Sequence, residues 1–159
     1  MVKKNSSKSI KQTLLPPPKD DVLEVDEMWA YVGNKQNKRW LWLAISRQTR
    51  HIVAYHIGNR DDIDCLLFYK KIPKEYKKLK SYSDKWESYK NVFPYDNLRH
   101  ECVNKDSGQT NHIERFNLTL RQRVGRYVRK TLSFSKSEYW HDLVTKLFII
   151  EYNKSLVYS

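Results

Sequence analysis

A chain of 159 residues is about one domain long, with material for one hydrophobic core and not for two. Thirty Lys and Arg against eighteen Asp and Glu give a formal charge of +12, so the expected partner is a polyanion, nucleic acid before any other. Apolar residues make up 40% and aromatic residues 13%, which excludes a disordered basic tail, and no apolar stretch nears the roughly 20 residues that span a bilayer.

Residues 1–21 read as a basic tail or linker: five lysines precede the first acid, and Pro16-Pro17-Pro18 favours an extended segment. They lack the continuous apolar core of a secretory signal. The domain is expected over residues 22–159. VLEVDEMWAYV, residues 22–32, has the β-branched and aromatic content of a strand, and Gly33-Asn34 with the polar residues to Lys38 supplies a turn. Residues 39–47 and 51–57 read as two further strands, completing an antiparallel meander. Asp61 or Asp62 then caps a helix that ends before Pro73. A lysine-rich stretch leads into a short strand at 79–83, which stops at Asp84, and another short strand is expected near 98–103. Asp106 or Ser107 reads as the cap of a long helix, with Ile113, Phe116, Leu120, Val124 and Tyr127 as its apolar stripe. A last helix is predicted over 136–152, with Tyr139, Leu143, Leu147 and Ile150 on one side.

Cys65 and Cys102 form no CxxC pair and no Cys/His group at zinc-ligand spacing. Neither a disulfide framework nor zinc is expected in this chain, and each cysteine reads as a small core residue in a reducing compartment.

Three acids stand out. Residues 21–32 hold Asp21, Glu24, Asp26 and Glu27 with no Lys or Arg, in a chain of strongly positive charge. Acids inside such a strand are disfavoured by β propensity and by burial, and a cation would compensate them. Alternation puts Glu24 and Asp26 on one face and Glu27 on the other, so mid-strand Asp26 is the choice for a site. Taken alone, these acids read rather as solvated edge residues paired with nearby arginines. Asp84 ends a strand, where sheets place ligand-binding side chains, although an acid there also reads as a helix cap. Glu114 is the only acid between Ser107 and Ser137, in a run with seven Lys or Arg from Arg115 to Lys136. Seven residues advance a helix by nearly two turns, so Arg121 shares a face with Glu114, where a guanidinium can hold a phosphate oxygen. Three such oxygen donors suit Mg2+ rather than zinc, and two ions about 3.5 to 4 Å apart can hold both oxygens of an in-line phosphodiester displacement.

In VDEMWAYVGNKQNKRWLW, SDKWESY and QTNHIERFNLTLRQRVGRYVRKTLSFSKS the sequence resembles the catalytic part of the IS1-family insertion-sequence transposases. The resemblance implies an α/β fold, a ribonuclease-H-like mixed sheet with a βββ meander, flanking helices and a C-terminal helical extension. It implies a DDE triad at Asp26, Asp84 and Glu114 holding Mg2+ or Mn2+, with Arg121 as the basic residue seven positions on. The implied activity is cleavage at the ends of a transposable element, followed by attack of the freed 3′-OH on target DNA. Arg115, Arg123, Arg126, Arg129 and Lys130 would then contact the DNA backbone. Trp86 reads as a core or hinge residue, or as a wedge against DNA. Members of that family carry an upstream zinc-ribbon and helix-turn-helix part, which this sequence lacks. A partner supplying it, a homo-oligomer in the synaptic complex, and a cytoplasmic, nucleoid-associated setting are therefore expected. The competing readings are a non-catalytic DNA-binding remnant and another ribonuclease-H-like nuclease. The three acids argue against the first, and the basic residue after Glu114 argues against the second.

Overall fold

The structure is a computed structural model that describes residues 9–94, 99–128 and 134–157. Its centre is a five-stranded mixed sheet of order β3-β2-β1-β4-β5. Strands β1 (Val22–Val32), β2 (Asn34–Ser46) and β3 (Ile52–Gly58) form the antiparallel meander, while β4 (Lys80–Ser83) runs parallel to β1 and β5 (His100–Cys102) parallel to β4. Helices α1 (Asp62–Lys71), α2 (Lys74–Lys77) and α3 (Glu87–Val92) lie between β3 and β5 in sequence, and α4 (Asn111–Arg123) and α5 (Glu138–Ser155) follow. This is a ribonuclease-H-like arrangement.

Both sheet faces are covered. Met28 and Ala30 of β1 pack with Leu41, Leu43, Ile113, Phe116, Leu120 and Ile150, whereas Leu23 and Val25 pack with Trp42, Phe68, Tyr76, Tyr89 and Phe93. That is why β1 and β2 read as nearly continuous apolar runs rather than as alternating ones. Burying acids in such a strand requires partners, and Glu24 and Glu27 have them: both are buried, and each is ion-paired with an arginine. They are not solvated edge residues.

Strand and helix limits depart from the sequence expectation where long-range contacts override local signals. The hairpin turns at Gly33 alone, whose φ of +80° suits glycine, so β2 begins at Asn34 rather than at 39. Asn34 and Lys38 pair with Val32 and Tyr31 although they are exposed, and the register shifts between the two pairs. Helix α4 starts at Asn111, after Gly108 at φ +76° has ended a 3-10 turn at Lys105–Ser107; neither Asp106 nor Ser107 caps it. The helix stops at Arg123, and the buried Tyr127 belongs to a separate 3-10 turn. In α5 the buried face carries His141, Leu143, Thr145, Ile149, Ile150 and Asn153, so Tyr139 is exposed and outside the stripe. The short helices α2 and α3 carry too few residues for a periodic signal. Leu98, included in the expected fifth strand, lies outside the described residues.

Ser9 to Asp21 lie against this body. Ile10 is buried in a 3-10 turn, Ile10–Thr13. Tyr76 Oη donates to the carbonyl of Leu15 at 2.6 Å. Asn153 Nδ2 donates to Thr13 Oγ1 and to the carbonyl of Ile52, while its Oδ1 accepts from Ile52 N, so one buried amide ties this turn, β3 and α5 together.

Two buried histidines make the fold acid-sensitive. His100 has Ser81 Oγ 2.8 Å from Nδ1 and Ser83 Oγ 3.0 Å from Nε2, and burial pushes its pKa down to about 4. His141 has Ser135 Oγ 2.6 Å from Nδ1, and burial, reinforced by Arg126, takes it to about 4 as well. An unfolded histidine titrates near 6.5, so between that value and 4 the unfolded chain binds protons that the folded chain refuses. We expect each to cost roughly 1–2 kcal/mol at pH 5 relative to pH 7. Urea unfolding at the two pH values measures it, and the His100→Gln/His141→Gln double variant should lose most of the difference.

Candidate active site

Pairing between β1 and β4 is brief: Val22, Leu23 and Glu24 face Lys80, Ser81 and Tyr82, and the next three residues of the chain reach Lys85. Beyond Glu24 a gap therefore opens beside β1. Asp26 and Glu27 reach it from β1, and Asp84 enters it directly after β4. One carboxylate oxygen from each lies within 4.8 Å of the others. Alternation alone would separate Asp26 from Glu27, but at this gap side chains from both faces converge.

Helix α4 closes the other side. Asp26, Asp84, Glu114, Asn117, Arg121 and Arg60 are among the residues that line one cleft of about 350 Å3. Glu114, Asn117 and Arg121 follow at three- and four-residue steps on one helical face. Asn117 Nδ2 donates to Asp26 Oδ2 at 2.8 Å; its Oδ1, buried in the same place, has no hydrogen-bond partner. Thr110 Oγ1 donates to Glu114 Oε1 at 2.8 Å. Burial first, then the neighbouring charges of Glu27, Asp84 and Glu114, push the Asp26 pKa up to about 8.

The register of α4 is fixed by Glu24. Its Oε2 accepts from the backbone N–H groups of His112 and Ile113 at 2.8 and 3.0 Å, and its Oε1 accepts from Arg47 Nε at 2.8 Å and lies 2.6 Å from His112 Nδ1. A strand carboxylate thus does the work of a helix cap, which explains why Thr110 offers no side-chain cap.

A second clamp holds the Asp84 loop. Arg60 gives two hydrogen bonds to Glu27 Oε1, at 2.7 and 3.0 Å, and its guanidinium lies 4.5 Å from the Trp40 ring and 3.7 Å from the Trp86 ring. Tyr89 Oη donates to Glu27 Oε2 at 2.6 Å, and Trp86 N donates to Asp84 Oδ1 at 2.9 Å. Trp86 consequently packs on the core and is joined through its own backbone to Asp84. Arg60→Ala should lose about 2–3 kcal/mol of stability, because Glu27 is left buried without its cation. Arg60→Lys should recover part of that but not the stacking. Thermal unfolding of the two variants checks the order.

Among the basic candidates, Arg121 lines the cleft; Arg115 and Arg123 are exposed outside it, and Arg126 sits 3.3 Å from Ser135 Oγ. Arg129 and Lys130 lie outside the described residues. Sequence reasoning missed Glu27, Arg60 and Asn117 as parts of this site. Asn117 could have been found three residues after Glu114 on its helical face, whereas nothing local marks Arg60, which arrives from the loop after β3. The donor set fits a hard divalent cation: Asp26, Asp84, Glu114 and the Asn117 carbonyl are all oxygens, with no Cys or His among the described residues that line the cleft.

A mixed sheet of this order, with an acidic cleft where the fourth strand leaves the first, places the chain in the ribonuclease-H-like class. The profile of the IS1 transposase family matches residues 22–154. The InsB protein of insertion element iso-IS1n from Shigella dysenteriae is 39% identical over 130 residues, covering 80% of this chain and 93% of that protein. The IS1 InsB protein of Shigella flexneri is 37% identical over 123 residues, covering 76% and 88%, and the IS1 4 InsB protein of Escherichia coli K12 is 35% identical over 130 residues, covering 80% and 74%. The chain belongs to the IS1 transposase family. Among the described residues, no helix is long and apolar enough to cross a membrane.

Proposed function

We propose that this chain is the catalytic part of a transposase, cutting DNA at element ends and joining the freed 3′ ends to target DNA. The observation that carries this is the convergence of Asp26, Asp84 and Glu114 on one cleft, where burial first and the neighbouring acids second raise the Asp26 pKa to about 8. In this reading those three acids hold two Mg2+ or Mn2+ ions. When bound, the ions neutralise phosphate charge and make a water or a 3′-hydroxyl a better nucleophile.

The remaining chemistry belongs to the chain. Asn117 orients Asp26 through its amide, Thr110 orients Glu114, and Glu27, neutralised by Arg60, fixes the loop that presents Asp84. Arg121, on the Glu114 face, holds a non-bridging phosphate oxygen. Arg115, Arg123, Arg126, Arg129 and Lys130 contact the flanking backbone, which positions the duplex without reading its sequence. Residues 22–159 form the catalytic unit and residues 1–21 its joint to an upstream zinc-ribbon and helix-turn-helix part. The assembly works on the nucleoid in the cytoplasm as a homo-oligomer that holds both ends.

The test is cleavage and joining on supercoiled DNA carrying element ends, with the upstream part supplied. Asp26→Asn, Asp84→Asn and Glu114→Gln should each lose activity by about a hundredfold or more. Full Mg2+-dependent activity in any one of them removes that residue from the site.

A further inference from the structure

The cleft leaves a second concentration of charge unused. Residues 70–80 contain six lysines and a single acid, Glu75. The fold adds Lys11 to them from the 3-10 turn Ile10–Thr13, more than fifty positions away in sequence. Lys11 and Lys74 line one groove of about 540 Å3 with Pro16, Pro17 and Tyr76. Lys11 also lines an adjoining groove of about 470 Å3 with Lys70, Lys71 and Lys146. The two grooves thus share Lys11 and form one surface on which five lysines stand against two acids, Glu75 and Asp142. Neither has a lining residue in common with the acidic cleft. The surface lies where the chain enters β4, and the cleft where it leaves.

Lys11, Lys70, Lys74 and Lys77 form no ion pair among the described residues; lysine ion pairs occur elsewhere, at Lys80–Glu101 and Lys154–Glu151. Lys77 lies 4.8 Å over the Tyr69 ring, and burial together with Lys74, Lys11 and Lys70 lowers its pKa. Glu75 and Asp142 line the same grooves but are outnumbered by the lysines, and gathering like charges in such excess opposes folding. The arrangement is nonetheless held, by the buried Ile10, by the Tyr76 hydroxyl on the Leu15 carbonyl, and by Asn153 on Thr13. A polyanion would relieve the repulsion.

We propose that this surface binds a second DNA duplex through its phosphates, independently of the duplex in the cleft and without regard to sequence. The proposal rests on the DNA strand-transfer reading given above, in which two duplexes must meet on the protein. The residue chemistry favours the backbone over base edges. The described cations on and just after α4 are arginines, whose forked donors fix a phosphate's orientation, whereas this surface is built of lysines, which act as point charges.

The test uses the full chain in EDTA, so that it needs no catalysis. Fluorescence anisotropy with a random-sequence duplex, from 50 to 200 mM salt, is compared for the parent and for Lys11→Gln/Lys70→Gln/Lys74→Gln. Energy transfer between two differently labelled duplexes reports whether they are brought together. We expect the parent to give energy transfer. The glutamine variant should lose it while still binding one duplex, with a salt slope smaller by about 2 to 3. Lys→Arg at the same positions should keep both, and circular dichroism should show an unchanged fold. An unaltered slope and unaltered energy transfer in the glutamine variant overturn the proposal. So does binding to phosphatidylserine vesicles through these lysines with no energy transfer between duplexes. Asp26→Asn, assayed for cleavage in Mg2+ and for energy transfer in EDTA, separates the two readings: loss of cleavage with intact energy transfer concerns the cleft alone.

Discussion

Asp26→Asn is expected to abolish strand cleavage and, in metal-free buffer at pH 8, to make the protein more stable than its parent by roughly 1–3 kcal/mol. The folded carboxyl titrates at about 8, raised by burial and by three neighbouring acids, whereas an unfolded aspartate titrates near 3.9. A group raised in this way contributes its stabilisation fully below the unfolded value and loses it as pH climbs through the folded one. The parent is therefore penalised at pH 8, and the amide variant escapes the penalty while keeping an oxygen to accept from Asn117. Urea unfolding in EDTA at pH 4 and pH 8 measures this: the difference should vanish at the lower pH. Adding millimolar Mg2+ should narrow it at the higher one, because the cation stabilises only a site that can bind it. Equal stability of the two proteins at pH 8 would count against the crowding of charge described here.

Glu24→Ala should be the most damaging single change near the cleft, with a loss of about 3–5 kcal/mol. The carboxylate is fully buried and serves Arg47, His112 and the first free N–H groups of α4 at once. Its removal leaves Arg47 Nε and two backbone amides without their acceptor, Gln109 still holding Arg47 Nη2, and unhooks the helix that carries Glu114, Asn117 and Arg121. Glu24→Gln should cost less, about 2–3 kcal/mol, since one amide oxygen can still accept but the NH2 opposes the donors around it. Denaturation gives the energies. Hydrogen exchange at Ile113 and Glu114 shows whether the first turn of α4 frays before the sheet opens, as this anchoring requires.

How much of this could be read from the residues depended on distance along the chain. Strand β1 was legible end to end, because its composition is continuous and Gly33 stops it. Helix α1 was equally plain: Asp61 caps it, with its side chain accepting from Asp64 N, and Pro73 follows its end. Helix α4 was misjudged at both ends, since its start is set by Glu24, 87 positions before Asn111, and its apolar spacing runs on past the last helical residue. In the site, Asp26 and Glu114 stood out by their local sign, Asp84 by ending a strand and Arg121 by its helical spacing from Glu114, and the family resemblance joined the four. Glu27 and Arg60 could not, because each is defined by the other across 33 residues. Their part depends on where β4 ends, which no local pattern states.

That early ending of β4 bears on more than access for a ligand. From Val25 to Tyr31 no strand pairs with β1 on that side among the described residues, so a row of peptide groups is left without ladder partners along one of the most apolar segments of the chain. Such an edge is a template onto which another molecule's strand could grow, the first step towards fibrous aggregates. Carboxylates crowded along it make that growth unfavourable, so the acids of the cleft also act as sentries for solubility.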